Sequence, residues 1–173
     1  WEHSLLTATA AKRIADDLGY VLSGEVFTAG LLHDLGIPVI YKYFNKEFKE
    51  IEKTVKSKKQ TYLQAEEELL GVTHCELGEM LIDRWNLPEK LRDAVKHHHN
   101  PAEAELDKEL AALIHLADYM TVKFNIGNFK WDDGLELDKN VIDILNLGSP
   151  EYIENFTETY KNLFESQLES IKL

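Results

Sequence analysis

Leu106-Asp-Lys-Glu-Leu-Ala-Ala-Leu-Ile-His-Leu-Ala-Asp-Tyr-Met-Thr-Val-Lys-Phe124 is the most apolar helical stretch of the chain, and it carries one misplaced charge, Asp118. Ala111 and Ile114 before it and Val122 after it recur at helical spacing, with Leu110, Leu113, Leu116, Ala117 and Met120 crowding the same segment. A carboxylate at that position is expected to be buried. Unpaired burial costs several kcal/mol or forces the acid to keep its proton, so Asp118 demands a partner.

Outward from this helix the same dilemma recurs. Asp34 follows Leu31-Leu32-His33, at the end of a segment holding Val26, Phe27 and Gly30. His74 leads Leu77 and Leu81 at helical spacing, and His3 leads Leu6, Ala10 and Ile14. Inward carboxylates among inward histidines have three resolutions: Asp–His ion pairs, separate hydrogen-bonded core residues, or ligands of a shared cation. For a single histidine the ordinary core role is the default. For the whole set the cation is favoured, because leucines would fill such a core at far lower cost. Imidazole and carboxylate donors suit a divalent transition metal, one or two ions of Fe, Mn, Zn, Ni or Co.

The rest of the pattern is helical, and the expected fold is an all-α, single-domain, multi-helix bundle around the buried His/Asp site. A first helix is expected from Glu2 to Leu18, closed by Gly19, and a second capped by Ser23. Gly36 and Pro38 break or kink the chain before it resumes at Val39. Asn45 to Lys59 reads as an exposed amphipathic helix striped by Phe48, Ile51 and Val55, and Thr61 to Leu70 as a short one ended by Gly71. Thr73 and Glu76 have the capping-box spacing, and Pro88 opens the helix that ends in His97-His98-His99. Asn125 to Gly134, including Gly127, is a loop; a short helix spans about Lys139 to Leu147, and Ser149-Pro150-Glu151 begins the last.

Several ordered segments resemble the HD superfamily of metal-dependent phosphohydrolases: Trp1-Glu-His-Ser-Leu5, Ala29-Gly-Leu-Leu-His-Asp-Leu-Gly36 and Leu116-Ala-Asp118. The resemblance implies His3, His33, Asp34 and Asp118 as ligands of a first metal, with His33 and Asp34 at the catalytic centre. Gly71-Val-Thr-His74 with Glu76-Leu-Gly78, and Leu87-Pro88 leading to Ala94-Val-Lys-His-His-His-Asn-Pro101, are similar to the HDOD subfamily, found in bacterial signalling and regulatory proteins. The same positions resemble the additional ligands of dinuclear and trinuclear HD enzymes. By that similarity His74 with one or both of His98 and His99 holds a second metal and Asp34 bridges the two ions. The histidine pair aligns as His98-His99; a one-residue slip would make it His97-His98.

Two departures bear on activity. Ile37 stands where cyclic-di-GMP phosphodiesterases of HD-GYP type have a lysine that meets the substrate phosphate, and Asn100-Pro101-Ala102-Glu103 replaces their Gly-Tyr-Pro stretch. Both speak against cyclic-di-GMP as substrate. Two functions therefore stay open: hydrolysis of a phosphodiester, nucleotide or other small phosphorylated molecule, and a catalytically silent regulatory module that binds metal, ligand or a protein partner.

Composition sets the bounds. The chain has 173 residues, 44% hydrophobic and 29% charged, the balance of a globular protein. Its net charge of −12 repels phosphate backbones and argues against DNA. An anionic substrate would need local positive charge, for which bound cations are the candidates. One cysteine, Cys75, fits a reducing compartment, and no apolar run approaches the ~18–20 residues of a membrane helix, so the cytoplasm is the expected location. Because Trp1 already lies within a helical pattern, and HDOD proteins carry a helical half before the first histidine, a segment upstream is expected. Cys75 is expected to pack about 100° around its helix from His74. His115 is expected to be a hydrogen-bond partner or surface residue, Trp131 core or rim, and Glu66-Glu67-Glu68 and Asp132-Asp133 solvated faces.

Overall fold

Apolar residues at helical spacing give helices throughout, and the described residues contain no strand. The computed structural model describes residues 1–21, 23–126 and 130–171. Its helices are α1 (Glu2–Leu18), α2 (Ser23–Leu32), α3 (Gly36–Tyr43), α4 (Asn45–Lys58), α5 (Tyr62–Leu70), α6 (His74–Arg84), α7 (Glu89–Lys96), α8 (Lys108–Lys123), α9 (Asn140–Ile144) and α10 (Pro150–Ile171), with a 3-10 turn at Pro101–Glu103. The side chain of the expected cap Ser23 and the loop residue Gly127 lie outside the described residues. No described helix is long and apolar enough to cross a membrane.

Local chemistry sets the helix ends. Gly19 and Gly71 adopt left-handed conformations after α1 and α5. Thr61 with Gln64, and Thr73 with Glu76, form reciprocal capping boxes that satisfy the first amides of α5 and α6. Asp107 caps α8 by accepting from the Leu110 amide. Pro38 is the third residue of α3, within the first turn, where its missing N–H costs no helical bond. The triple histidine lies beyond the end of α7, in a turn that frees its side chains from one helix face. The buried Asp93 carboxylate accepts the amides of Glu105 and Leu106, which folds the α7–α8 connection back on itself.

α1 packs most extensively on α2 and α8, and α3 packs on α6. The main core joins Leu6 and Ile14 of α1, Ile82, Val95, most of α8, and Phe164 of α10. A second apolar cluster, Ile37, Ile40, Ile51, Tyr62, Ala65 and Trp131, lies beneath α3 to α5. Two glycines permit close approaches. A side chain on Gly30 would meet the Ala8 backbone, so it allows α1 and α2 to touch. A methyl on Gly36 would overlap the His74 carbonyl oxygen, so this glycine brings the turn carrying His33 and Asp34 against the start of α6. Neither backbone can give way cheaply. Gly36→Ala is expected to destabilise the protein by about 3 kcal/mol in urea unfolding, the upper part of the usual cost of overpacking; an unchanged midpoint would show that α3 and α6 are not locked together here.

Candidate metal centre

Five segments deliver buried polar side chains to one point. α1 supplies His3; the end of α2 supplies His33 and Asp34; the first turn of α6 supplies His74; the turn after α7 supplies His98 and His99; and α8 supplies Asp118. All seven are buried, His33, His74 and His98 completely. His97 stays outside, its Nε2 3.8 Å from the Asp93 carboxylate, so His98 and His99 are the pair that enters the cluster.

Asp34 lies between two sets of imidazoles. Its Oδ2 is 3.3 Å from His3 Nε2 and 3.1 Å from His33 Nε2, while its Oδ1 is 3.7 Å from the Nε2 atoms of both His74 and His98. Asp118 Oδ1 stands 3.0 Å from His3 Nε2 and 3.7 Å from His33 Nε2. On the other side His74 and His99 approach Nε2 to Nε2 at 3.2 Å.

The outer ring nitrogens determine what these Nε2 atoms offer. His33 Nδ1 donates to the Gly30 carbonyl and His98 Nδ1 to the Val95 carbonyl, each at 2.7 Å. His74 Nδ1 donates to Glu66 at 2.9 Å. The Thr121 hydroxyl donates to the Asp118 carbonyl, leaving its oxygen to accept from His3 Nδ1 at 3.3 Å. With the proton on Nδ1, all four imidazoles aim a lone pair inward, at carboxylates whose oxygens are also lone-pair donors. Neither oxygen of Asp34 or Asp118 has a hydrogen-bond partner, and Nε2 of His33 and of His98 has none. Such a set needs positive charge at its centre, from extra protons or from a cation.

Protons are the resolution when no cation is bound. Burial alone would depress the His3 imidazole, but its contacts with Asp118 and Asp34 outweigh burial and raise it to about 9. Burial likewise opposes charge on His33, and the Asp34 and Asp118 carboxylates raise it well above the usual imidazole range. Burial resists ionisation of Asp34 and Asp118 too, yet the facing His33 and His3 rings hold both carboxyls well below the ordinary range. His98 goes the other way, pushed well down by burial and by the neighbouring His99, His33 and His74. The cation-free site is therefore a lattice of imidazolium and carboxylate. Ligand atoms of His3, His33 and Asp118 lie within 4.8 Å of one another, as do those of His33, Asp34 and His98, and of Asp34, His74 and Asp132, so the residues fit a metal.

Two residues differ from their expected roles, and a third, the packed Cys75, lies closer to His74 than expected. Glu66 is fully buried rather than solvated: it accepts the His74 amide at 2.7 Å, His74 Nδ1 at 2.9 Å and the Trp131 indole at 2.7 Å. Asp132 is buried as well, with Oδ2 3.3 Å from His99 Nε2. Cys75 lies 3.5 Å from His74 Nε2, because His74 is the first residue of its helix and its ring turns across the helix end; burial pushes the thiol up. Glu67, Glu68 and Asp133 are exposed, as the charge runs suggest. His115 is the expected hydrogen-bond partner, donating from Nδ1 to the His98 carbonyl and accepting the Asp138 amide at Nε2. Trp131 belongs to the second core cluster.

The HDOD domain family matches residues 1–101, more than half of the chain. The chain belongs to the HDOD family. Its match to an HDOD domain protein of unknown function from Geobacter sulfurreducens has 28% identity and a TM-score of 0.79, covering 97% of this chain and 60% of that one. A candidate phosphohydrolase from Shewanella amazonensis (20% identity, TM-score 0.70, 95% of this chain and 61% of that one) and a candidate signal transduction protein from Marinobacter aquaeolei (22%, 0.76, 100% and 39%) share the fold. An uncharacterised protein of Treponema pallidum is 26% identical over 178 residues, covering 96% of this chain. This HDOD chain spans 32% of the length of that relative.

Two outcomes are expected from this geometry. Because His3 is protonated up to about pH 9, a cation entering the site must expel protons, so affinity rises with pH through the neutral range and falls in acid. Calorimetric titration with Mn or Co at pH 7, in two buffers of different ionisation heat, should show at least about one proton released per ion; buffer-independent heats would contradict it. Glu66→Gln, which weakens the anchor of His74, should reduce metal affinity about 10–100-fold while the helical content is kept.

Proposed function

We propose that this HDOD protein is a metal-dependent phosphohydrolase acting on a phosphodiester or nucleotide. The observation that carries the reading is the division of Asp34, with one oxygen facing His3 and His33 and the other facing His74 and His98. A carboxylate so placed suits a site for two cations. His3, His33, Asp34 and Asp118 would hold one, and His74, His98 and His99, with Asp34 shared, the other. When bound, the cations supply charge neutralisation at a phosphate and acidification of water near neutral pH.

The chain's own residues define the approach. A cleft of about 690 Å³ reaches His99 and Asp132 and has Lys59 on its wall, but Asp132, Asp133 and Glu136 line it as well. Three carboxylates against one ammonium repel a phosphate, so substrate binding there depends on the cations. His33 and His98 are held by backbone carbonyls and do not swing toward substrate; their task is to fix the ion positions. Asp34, 5% exposed, is the member of the first set that reaches a second, smaller cleft of about 280 Å³.

That smaller cleft favours the second reading, a catalytically silent regulatory module. Its walls are Trp1, Ser4, Ile37, Pro38, Tyr41 and Phe48 beside Asp34, with no lysine or arginine to meet a phosphate, so the surface suits an apolar ligand or partner.

Protein loaded with Mn, Fe or Co should hydrolyse bis-(p-nitrophenyl) phosphate or one of a panel of nucleotides and dinucleotides, with activity abolished by chelator. Asp34→Asn should lower turnover by more than about 100-fold, beyond the cost of losing an outer partner. Full metal occupancy with no turnover on any of these would reject hydrolysis in favour of the silent module.

A further inference from the structure

We propose that Asp132 is a ligand of the second cation, delivered to it by a loop anchored through Trp131 and Glu66. The inference rests on the metal reading above and adds a residue that lies outside the His/Asp motifs.

Asp132 Oδ2 stands 3.3 Å from His99 Nε2 and 3.9 Å from His74 Nε2. The residue is 7% exposed, and Oδ2 is buried with no hydrogen-bond partner. A carboxylate oxygen aimed at two imidazole nitrogens without a hydrogen bond is in the same situation as those of Asp34 and Asp118. Ligand atoms of Asp34, His74 and Asp132 lie within 4.8 Å of one another, as do those of His99, Asp118 and Asp132.

The backbone holds it there at a cost. Asp132 sits at φ 62, the left-handed region that non-glycine residues seldom adopt, and its carbonyl accepts the Leu135 amide at 2.8 Å to close a tight turn. The residue before it fixes the position of that turn. The Trp131 ring stacks on Phe48 at 4.4 Å and lies 4.6 Å from Tyr62, while its indole nitrogen donates to Glu66. Glu66 also binds His74 Nδ1, so one carboxylate orients His74 directly and Asp132 through its neighbour. That is the work of an outer shell around a metal ligand.

Charge points the same way. His74, His98 and His99 bring no negative charge as neutral ligands. Two dications facing only Asp34 and Asp118 would leave about two positive charges uncompensated in a dry interior. Asp132 places a carboxylate on the deficient side.

The test is metal content by elemental analysis after saturation with Co and gel filtration, together with the visible absorption of bound Co. Wild-type protein should hold two ions. Asp132→Asn, which keeps the shape and removes the charge, should retain the first ion and weaken the second by at least about 10-fold, with loss of part of the Co spectrum. Asp143→Asn, exposed on α9 and away from both clefts, should behave as wild type. If Asp132→Asn holds two ions with unchanged affinity, Asp132 is not a ligand, and the two-cation reading survives. If wild-type protein takes up no metal, both readings fall. Should Asp132→Asn lose its helical circular dichroism, Trp131→Phe serves instead: it keeps the ring packing, removes the bond to Glu66, and should weaken the second ion selectively. Unchanged second-ion affinity in that variant would equally overturn the proposal.

Discussion

Asp34 has two oxygens with four imidazoles around them, and the interior is arranged to keep it so. Oδ2 belongs to His3 and His33, Oδ1 to His74 and His98. An ion of that kind can be buried only if positive charge is close, and removing one member of such a group strands the rest at a cost of several kcal/mol. The close contact at Gly36, the capping box that begins α6 at His74, and the turn that presents His98 and His99 all meet at this carboxylate. The main core and the smaller cluster under α3 to α5 supply the dry walls that make the charge expensive to leave alone.

How much of this is legible in the amino-acid sequence depends on whether a residue sits in a regular pattern. Asp118 was conspicuous because apolar residues surround it at every helical offset, and it is buried as that spacing implies. The Thr73–Glu76 box and the glycine stops were legible because they use local chemistry alone. The seven histidine and aspartate positions read as an ordered set do converge. The choice between His97-His98 and His98-His99 could not be made by counting, because the three lie in a turn with no periodicity to project.

Glu66 carries the same signal as Asp118. Tyr62 and Leu70, four residues before and after it, place it on the inward stripe of α5, the same spacing that exposed Asp118. Its two glutamate neighbours give the segment the look of a solvated charge run, yet neighbours on a helix point about 100° apart, and only Glu66 shares the face of Tyr62 and Leu70. Asp132 had no such signal. It lies in irregular chain after α8, and only the adjacent Trp131, a residue that belongs in a core, hinted that the loop turns inward. Cys75 is the packed thiol its spacing implies, but it lies beside His74 Nε2, because angular projection along a helix describes Cα positions, whereas the first residue of a helix can send its ring across the helix end.

The anchors behind the imidazoles fall into two kinds. His33 and His98 are steered by carbonyls three residues earlier on their own main chain, whereas His74 depends on the Glu66 side chain and His3 on the Thr121 hydroxyl. A codon change can delete a carboxylate or a hydroxyl; none can delete a peptide oxygen. Under mutational drift, half of the ring orientations are thus exposed to genetic loss and half are insured against it. A lineage that no longer needed the centre would be expected to loosen at His74 and His3 first, with the two carbonyl-steered rings as its longest-lived relic.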